Sequence, residues 1–147
     1  SCPGAGAVAL VGRGSSDPDA NADLFKVARL LSEARPVVGV EAGFVSLARP
    51  SVPEVLDRCR RLGATHVTVA PYFLFTGVLV ERIVAQARAW ATDEGDVAVT
   101  VAGELGPDPR IAGLVLERYH EALAGGARMN CDLCLYRSPL PGHPARH

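Results

Sequence analysis

The sequence predicts an α/β fold of the flavodoxin-like, three-layer kind, in which a four-stranded parallel sheet lies between helices. Strand-like and helix-like segments alternate four times along the chain, which is typical of a parallel sheet. The strand-like segments are almost continuously apolar, as in strands buried on both faces. Four strands are too few for a closed eightfold barrel, and 147 residues suffice for one domain with a substantial core.

The first strand and helix are joined by a glycine-rich turn. Residues 7–11 (AVALV) form the predicted strand and residues 12–18 (GRGSSDP) the turn. Asp17 is the expected N-cap of the helix, and Pro18 lies in its first turn. Apolar residues then recur at spacings of three and four, which predicts one buried helical face: Leu24, Val27, Ala28, Leu31 and Ala34.

The second pair begins with residues 37–47, whose β-branched and apolar content predicts a strand. Ser51 and Glu54 have the spacing of a capping box, which begins the second helix, and Gly63 ends it. Cys59 falls on the apolar stripe of this helix, so we expect it to pack in the core.

The last two pairs follow the same pattern. Residues 66–70 are the third strand and residues 97–102 the fourth. The third helix carries apolar Val80, Ile83, Val84, Ala87 and Ala91, and the fourth carries Ala112, Val115, Leu116, Tyr119 and Leu123. Residues 1–126 are therefore expected to form the domain, and the turn-rich residues 127–147 an irregular C-terminal tail.

Charge and cysteine content exclude several classes of protein. There are 15 basic and 16 acidic side chains, so no basic excess favours nucleic acid or an anionic membrane surface. The longest largely apolar stretch, residues 67–80, is interrupted by Pro71 and Gly77 and is too short for a membrane helix. The four cysteines do not form a secreted disulfide framework, which favours the cytoplasm: Cys2, Cys59, Cys131 and Cys134.

The loops that follow parallel strands meet at one edge of the sheet, where α/β proteins bind ligands. The polar and aromatic residues brought there are Arg13, Ser15, Ser16, Arg49, Tyr72, Phe73, Thr76 and Glu104. The Arg13 guanidinium can hold a carboxylate or phosphate through two parallel hydrogen bonds, and the aromatic residues 72–75 can stack on a flat or macrocyclic ligand. The alternatives are a tight turn with a surface arginine, and aromatic side chains that merely close the end of the sheet.

A second motif lies in the tail, where Cys131 and Cys134 form a C-x-x-C. This spacing suits a redox dithiol, half of a zinc site or part of an iron–sulfur site. A closed metal or cluster site usually needs four ligands, and the motif supplies two. The others must come from a second chain, from Cys2, from His143 and His147, or the thiols are unliganded.

These motifs together resemble the sirohydrochlorin cobaltochelatase family, the CbiX-type class II chelatases. The matching stretches are residues 11–21, 44–54, 71–77 and 105–107, and their order and spacing agree over residues 7–123. Residues 129–137 are similar to the cysteine segment of longer members, which is associated with an iron–sulfur centre. The resemblance implies a chelatase-like fold and the insertion of a divalent metal, cobalt, into a tetrapyrrole on the path to cobalamin.

For such a substrate, the residues expected to bind it, from their place at the crevice edge and their chemistry, are Arg13, Ser15, Ser16, Tyr72, Phe73 and Thr76. Two metal-binding histidines of the family are missing, because their positions hold Arg13 and Leu79. Arginine does not lose its proton and leucine has no donor atom, so neither replaces a histidine. With no initiator methionine, the chain is expected to be the C-terminal, substrate-holding half of a two-half member, completed by a second half or a homodimer partner.

Three other interpretations stay open. In the first, the chain is active alone, with Glu41, Glu104 or His66 as substitute metal ligands. Alternatively it is a phosphate- or nucleotide-binding module that uses the turn at residues 14–16. In the third, it is an iron–sulfur-carrying interaction domain that presents Cys131 and Cys134 without chelatase activity.

Overall fold

The computed structural model describes residues 6–34 and 36–125. Strands and helices alternate in this part of the chain, which confirms the predicted α/β fold. The elements are β1 Gly6–Gly12, α1 Pro18–Ala34, β2 Gly39–Phe44, α2 Val52–Arg61, β3 His66–Pro71, α3 Val78–Glu94, β4 Ala98–Val101 and α4 Pro109–Leu123. The chain comprises two compact units that divide between Gly106 and Pro107. The boundary expected after residue 126 stays a prediction.

The sheet is parallel throughout, in the order β2-β1-β3-β4. β1 is central, and its Val11 lies opposite Gly43 on one side and Pro71 on the other. The chain moves outward from β1 first to β2 and then, in the other direction, to β3 and β4. Because the strand order reverses beside β1, the loops after β1 and β3 diverge and leave a crevice at the carboxyl ends of these strands.

The side chains of the sheet pack into two separate hydrophobic layers. Successive residues of a strand point to opposite faces, so Leu10 and Val11 belong to different layers. One layer lies under α2 and α3 and contains Leu56 and Ile83. The other lies under α1 and contains Leu24, Ala28, Ala42 and Phe44. The predicted three-layer arrangement is confirmed within the unit that ends at Gly106.

Helix α2 is fixed by its first turn and by its contact with α3. Glu54 accepts a hydrogen bond from the backbone N–H of Ser51 at 2.7 Å, as the capping box predicts, and this bond is the main cause that lowers the pKa of Glu54. Cys59 is fully buried, which confirms its core role, and burial raises the pKa of its thiol to about 11. The indole N–H of Trp90 on α3 donates to Asp57 Oδ1 at 2.9 Å.

Strand β2 ends at Phe44, three residues earlier than the sequence predicts. Val45 and Ser46 still donate backbone hydrogen bonds to β1 and its loop, but Leu47 has a φ of 56°. The N–H of Ala48 donates to the carbonyl of Ser46 at 2.6 Å, which closes a tight turn around Leu47. The strand predicted at residues 45–47 from their mostly apolar side chains is therefore wrong, because the chain turns there.

Helix α4 lies in the second unit and begins at its N-cap Asp108, whose Oδ1 accepts from the backbone N–H of Arg110 at 2.8 Å. Hydrogen bonds from the Arg110 side chain are the main cause that lowers the pKa of Asp108 to about 2. Among the helices of the described residues, none has the length and apolar content to span a membrane. The predicted tail lies outside the described residues.

Candidate functional site

Main-chain hydrogen bonds join the loops at the carboxyl edge of the sheet. Those that link one loop or strand to another include Val45 N–H to Gly12 O, Ser46 N–H to Arg13 O, Tyr72 N–H to Val11 O and Leu105 N–H to Phe73 O, at 2.7–3.0 Å. We call these loops the first (residues 13–17), second (45–51), third (72–77) and fourth (102–106). Because backbone groups hold them together, the edge has a defined shape that does not depend on a ligand.

Gly14 allows the first and second loops to touch. Its φ is +89°, in the left-handed region that side-chain-bearing residues rarely adopt. A Cβ placed on it would lie 2.1 Å from the carbonyl oxygen of Ser46 and 3.1 Å from the backbone nitrogen of Ala48. No other residue fits this position, and the contact fixes the chain beside Arg13.

Arg13 presents an exposed side chain at this edge. The residue is exposed, and within residues 6–34 and 36–125 its guanidinium makes no hydrogen bond or ion pair. Arg49 of the second loop differs, because it is ion-paired with Glu54. Arg13 is therefore a cation on a fixed backbone whose hydrogen-bonding capacity is available to an anionic ligand.

A depression of about 270 Å³ lies beside the first loop. Its floor and walls are mostly apolar and include Leu24, Val27 and Phe44. Three of the predicted substrate-binding residues line it together: Arg13, Ser15 and Tyr72. The site thus combines an apolar surface, a cation at its rim and an aromatic side chain that is 43% exposed.

The other predicted site residues are placed differently. Ser16 and Thr76 are exposed, but neither lines this depression. Phe73 is half-buried and packs against the core under α2 and α3, so its ring is less available to a ligand than that of Tyr72. Leu79 also packs against this core. Cys131 and Cys134 lie outside the described residues.

A second depression, of about 480 Å³, lies on the other side of the end of β2. It is lined mainly by the second loop, together with Gln86 of α3. Leu47 belongs to it, and its side chain is 68% exposed although its backbone is left-handed. The sequence analysis does not identify three of the residues that line these depressions: Asn21 in the first, and Leu47 and Gln86 in the second. Only Asn21 gave a usable signal, because a polar residue in the first turn of a helix is close to the loop before it.

The substitute metal ligands considered from the sequence do not meet. His66 is at the amino end of β3, where its Nε2 is 2.9 Å from Thr100 Oγ1. Glu41 lies within β2, 3.8 Å from a guanidinium nitrogen of Arg58, and Glu104 follows the carboxyl end of β4. In the described part of the chain no three His, Cys, Asp or Glu side chains form a group that could hold a metal ion. The exposed Arg13 cation and the apolar depression suit this edge to an anionic, partly apolar ligand.

Comparison with known proteins agrees with this architecture. The CbiX family model matches residues 7–122. A sirohydrochlorin cobaltochelatase of Priestia megaterium is 40% identical over 141 residues, which cover 96% of this chain and 46% of that protein. A sirohydrochlorin cobaltochelatase of Methanopyrus kandleri is 32% identical over 138 residues, which cover 80% of this chain and 96% of that protein.

A solved structure supports the fold. The sirohydrochlorin chelatase SirB from Bacillus subtilis subspecies spizizenii, in complex with cobalt, superimposes with a TM-score of 0.72 at 23% identity, over 79% of this chain and 50% of that one. The chain thus spans about half the length of SirB and of the Priestia relative, and nearly all of the Methanopyrus one. The family model and the sequence identities confirm the resemblance expected from the motifs: the chain belongs to the CbiX family.

Proposed function

We propose that this chain is the substrate-holding half of a sirohydrochlorin chelatase and binds a polycarboxylated tetrapyrrole, with cobalt as the metal substrate. The observation that carries the proposal is the exposed Arg13 guanidinium, which has no hydrogen-bond or ion-pair partner among the described residues and lies beside a mostly apolar depression. Such a surface suits a ligand with a flat apolar body and carboxylates on its periphery. The cobaltochelatases of Priestia megaterium and Methanopyrus kandleri, to which the chain is similar, favour the same substrate class.

In this proposal Arg13 binds one peripheral carboxylate through two parallel hydrogen bonds, which fix both the position and the plane of the carboxylate. Tyr72 supplies an aromatic wall against the macrocycle. Ser15 Oγ already accepts a hydrogen bond from the backbone N–H of Asp17 at 3.0 Å, which leaves its hydroxyl proton for a ligand oxygen. Ser16 and Thr76 are further hydroxyls at the same edge.

Metal insertion needs two things that these residues do not provide. The metal needs a donor atom while it is transferred, and the pyrrole nitrogens need a group that accepts their protons. Arg13 has no free lone pair and keeps its proton, and Leu79 is an apolar side chain packed on the core. We therefore place the metal-binding and proton-accepting groups on a second chelatase half or a partner copy. That the chain spans 46% of the Priestia cobaltochelatase supports this division.

An absorbance titration with sirohydrochlorin tests the binding proposal. Loss of a charge-assisted hydrogen bond costs about 1.5–3 kcal/mol when it is well formed, so Arg13→Ala should weaken binding about tenfold or more. Arg29→Ala is the matched control, because Arg29 is an exposed arginine of α1 paired with Glu33. Equal dissociation constants for Arg13→Ala and the unsubstituted chain would contradict the role of Arg13.

The predicted iron–sulfur cluster takes no part in this proposal. Cys131 and Cys134 supply two thiolates, whereas a cluster usually has four protein ligands. Among the described residues, Cys59 cannot add a third, because it is fully buried and its thiol pKa is raised. A cluster would need further ligands from Cys2, from His143 and His147, or from a second chain. Anaerobic purification followed by iron and sulfide analysis tests for the cluster. The expected cytoplasmic location also stays a prediction.

The phosphate-binding alternative is less well supported by the first loop. Two of its backbone N–H groups already have partners in the protein, since Ser15 N–H donates to Asn21 Oδ1 and Asp17 N–H to Ser15 Oγ. Phosphate or nucleotide should therefore leave the melting temperature unchanged, whereas the tetrapyrrole should raise it.

A further inference from the structure

The side chain of Asn21 forms two hydrogen bonds with the main chain of a single residue of the first loop. The N–H of Ser15 donates to Asn21 Oδ1 at 2.8 Å, and Asn21 Nδ2 donates to the Ser15 carbonyl oxygen at 2.8 Å. One side-chain amide thus satisfies both polar backbone groups of Ser15. We propose that Asn21 is a positioning residue for ligand binding: it fixes Ser15 and thereby the position from which Arg13 reaches a bound carboxylate. The inference rests on the proposed function of Arg13.

The position of Asn21 in the helix explains why it reaches the loop. Asn21 is in the first turn of α1, which begins at Pro18, and its backbone N–H donates to the carbonyl of Asp17 at 3.3 Å. Side chains of an α-helix lean toward its N-terminus, which here is the first loop. The Asn21 side chain therefore extends back over the helix start to Ser15, six residues earlier.

The chemistry of the two bonds requires an amide. The site needs one acceptor and one donor side by side, and the side-chain amide of asparagine has both. Aspartate keeps the acceptor, but its second oxygen would face the Ser15 carbonyl without a proton between them. Alanine loses both bonds. The pairing also determines which end of the Asn21 amide is nitrogen, because the opposite orientation would place two donors and two acceptors together.

These bonds lie on one side of Gly14, and the second loop holds the other side. Before Gly14, the carbonyl of Arg13 accepts from the Ser46 N–H at 3.0 Å, and Gly14 itself touches Ser46. That anchor consists of main-chain atoms and persists under most substitutions. The anchor after Gly14 depends on side chains, because both backbone groups of Ser15 bond to the Asn21 amide. With both in place the loop is ordered before the ligand arrives, which lowers the entropic cost of binding.

Asn21 and Arg13 also line the same depression. Loss of the Asn21 amide would leave the Arg13 carbonyl bonded to Ser46, but it would release Ser15 and let the loop after Gly14 move, so that the guanidinium is held less firmly in the site. Ligand affinity would then fall because of Arg13, although Arg13 is unchanged. This distinguishes a positioning role from a general structural one, in which Asn21 would affect stability and affinity independently of Arg13.

A double-mutant cycle tests the proposal, with sirohydrochlorin as the probe and dissociation constants as the readout. The variants are Arg13→Ala, Asn21→Ala and both together, and Glu33→Gln on α1 is the control. We expect Asn21→Ala to weaken binding about threefold to tenfold in the unsubstituted chain and less than about twofold when Arg13 is already alanine. Amide hydrogen exchange without ligand should be faster at Ser15 in Asn21→Ala, with the core strands unchanged.

The outcomes separate the two proposals. If Arg13→Ala does not weaken binding, the proposed function of Arg13 fails. If Arg13→Ala weakens binding but Asn21→Ala does not, or does so equally in both backgrounds, the positioning role of Asn21 alone is overturned. Asn21→Asp retains the shape and one hydrogen bond, and it serves if the alanine variant does not fold. Its affinity for sirohydrochlorin should lie between that of Asn21→Ala and that of the unsubstituted chain. An affinity equal to that of the unsubstituted chain would count against the proposal.

Discussion

Gly14 lies so close to the carbonyl oxygen of Ser46 that a Cβ on Gly14 would stand 2.1 Å from that oxygen. The loops after β1 and β2 are therefore in main-chain contact, with the Ser46 N–H bonded to the Arg13 carbonyl at 3.0 Å. This contact connects the fold to the candidate site, because it determines where Arg13 leaves the sheet. Because the contact is so close, even the methyl group of an alanine at position 14 would displace the second loop.

Gly14→Ala should destabilise the protein and weaken ligand binding together. A left-handed backbone costs alanine about 1–2 kcal/mol, and displacement of the second loop adds to this cost. Urea unfolding should show a loss of about 2 kcal/mol or more. Gly103→Ala is the control, because nothing lies within 4 Å of a Cβ at Gly103 and its φ is not left-handed. If both variants are equally stable, the Gly14 contact is not as close as described.

Leu47→Gly should leave the protein as stable as before, or more stable. The φ of 56° costs leucine about 1–2 kcal/mol, and glycine removes this cost while losing about 0.5–1 kcal/mol in backbone entropy. Little burial is lost, since Leu47 is 68% exposed. Leu105→Gly, at another exposed leucine without a positive φ, should be destabilising. A loss at Leu47 as large as at Leu105 would show that the Leu47 backbone is unstrained.

Asp57→Ala should destabilise the packing of α2 against α3 by about 1–3 kcal/mol, because it leaves the buried indole N–H of Trp90 without its acceptor. Asp57→Asn retains an acceptor oxygen and should cost less. Trp90 is the only tryptophan, so its fluorescence reports both the local change and unfolding. Asp93→Ala, at an exposed position of α3, is the control. Equal stability of Asp57→Ala and Asp93→Ala would rule out this contribution.

The buried thiol of Cys59 should make stability depend on alkaline pH. Burial raises its pKa to about 11. The buried, neutral thiol therefore contributes its full share of the folding stability below the ordinary thiol pKa. This contribution is lost as pH rises through about 11, because the thiol of the unfolded chain ionises first. Between pH 9 and 11 the stability of the unsubstituted chain should fall more than that of Cys59→Ala, by up to about 2 kcal/mol. Parallel curves would contradict the raised pKa.

The order of the elements could be predicted from the sequence because each has a local cause. Alternating apolar strands and helical stripes predict the layers, the capping box at Ser51 begins α2 as expected, and Cys59 lies in the core. The predicted end of β2 was wrong by three residues. The left-handed backbone of Leu47 has no signature in side-chain type, since a leucine ordinarily avoids it.

The candidate site could be predicted only in part. The glycine-rich turn indicated Arg13 and Ser15, because loops after parallel strands share one edge. The sequence could not show which aromatic residue of the third loop faces outward, and in the structure Tyr72 is exposed whereas Phe73 packs on the core. The Asn21 bonds join residues of a loop and a helix in a particular rotamer, which no spacing rule predicts.

The central claim is that this chain holds the tetrapyrrole but needs a second half to insert the metal. The most direct test is the rate of cobalt insertion into sirohydrochlorin, followed by absorbance, with the chain alone at concentrations where it binds the tetrapyrrole. The Methanopyrus kandleri cobaltochelatase, which is similar over 96% of its own length, is the reference. We predict saturable tetrapyrrole binding with insertion no faster than without protein. A rate comparable to that of the reference enzyme would contradict the account.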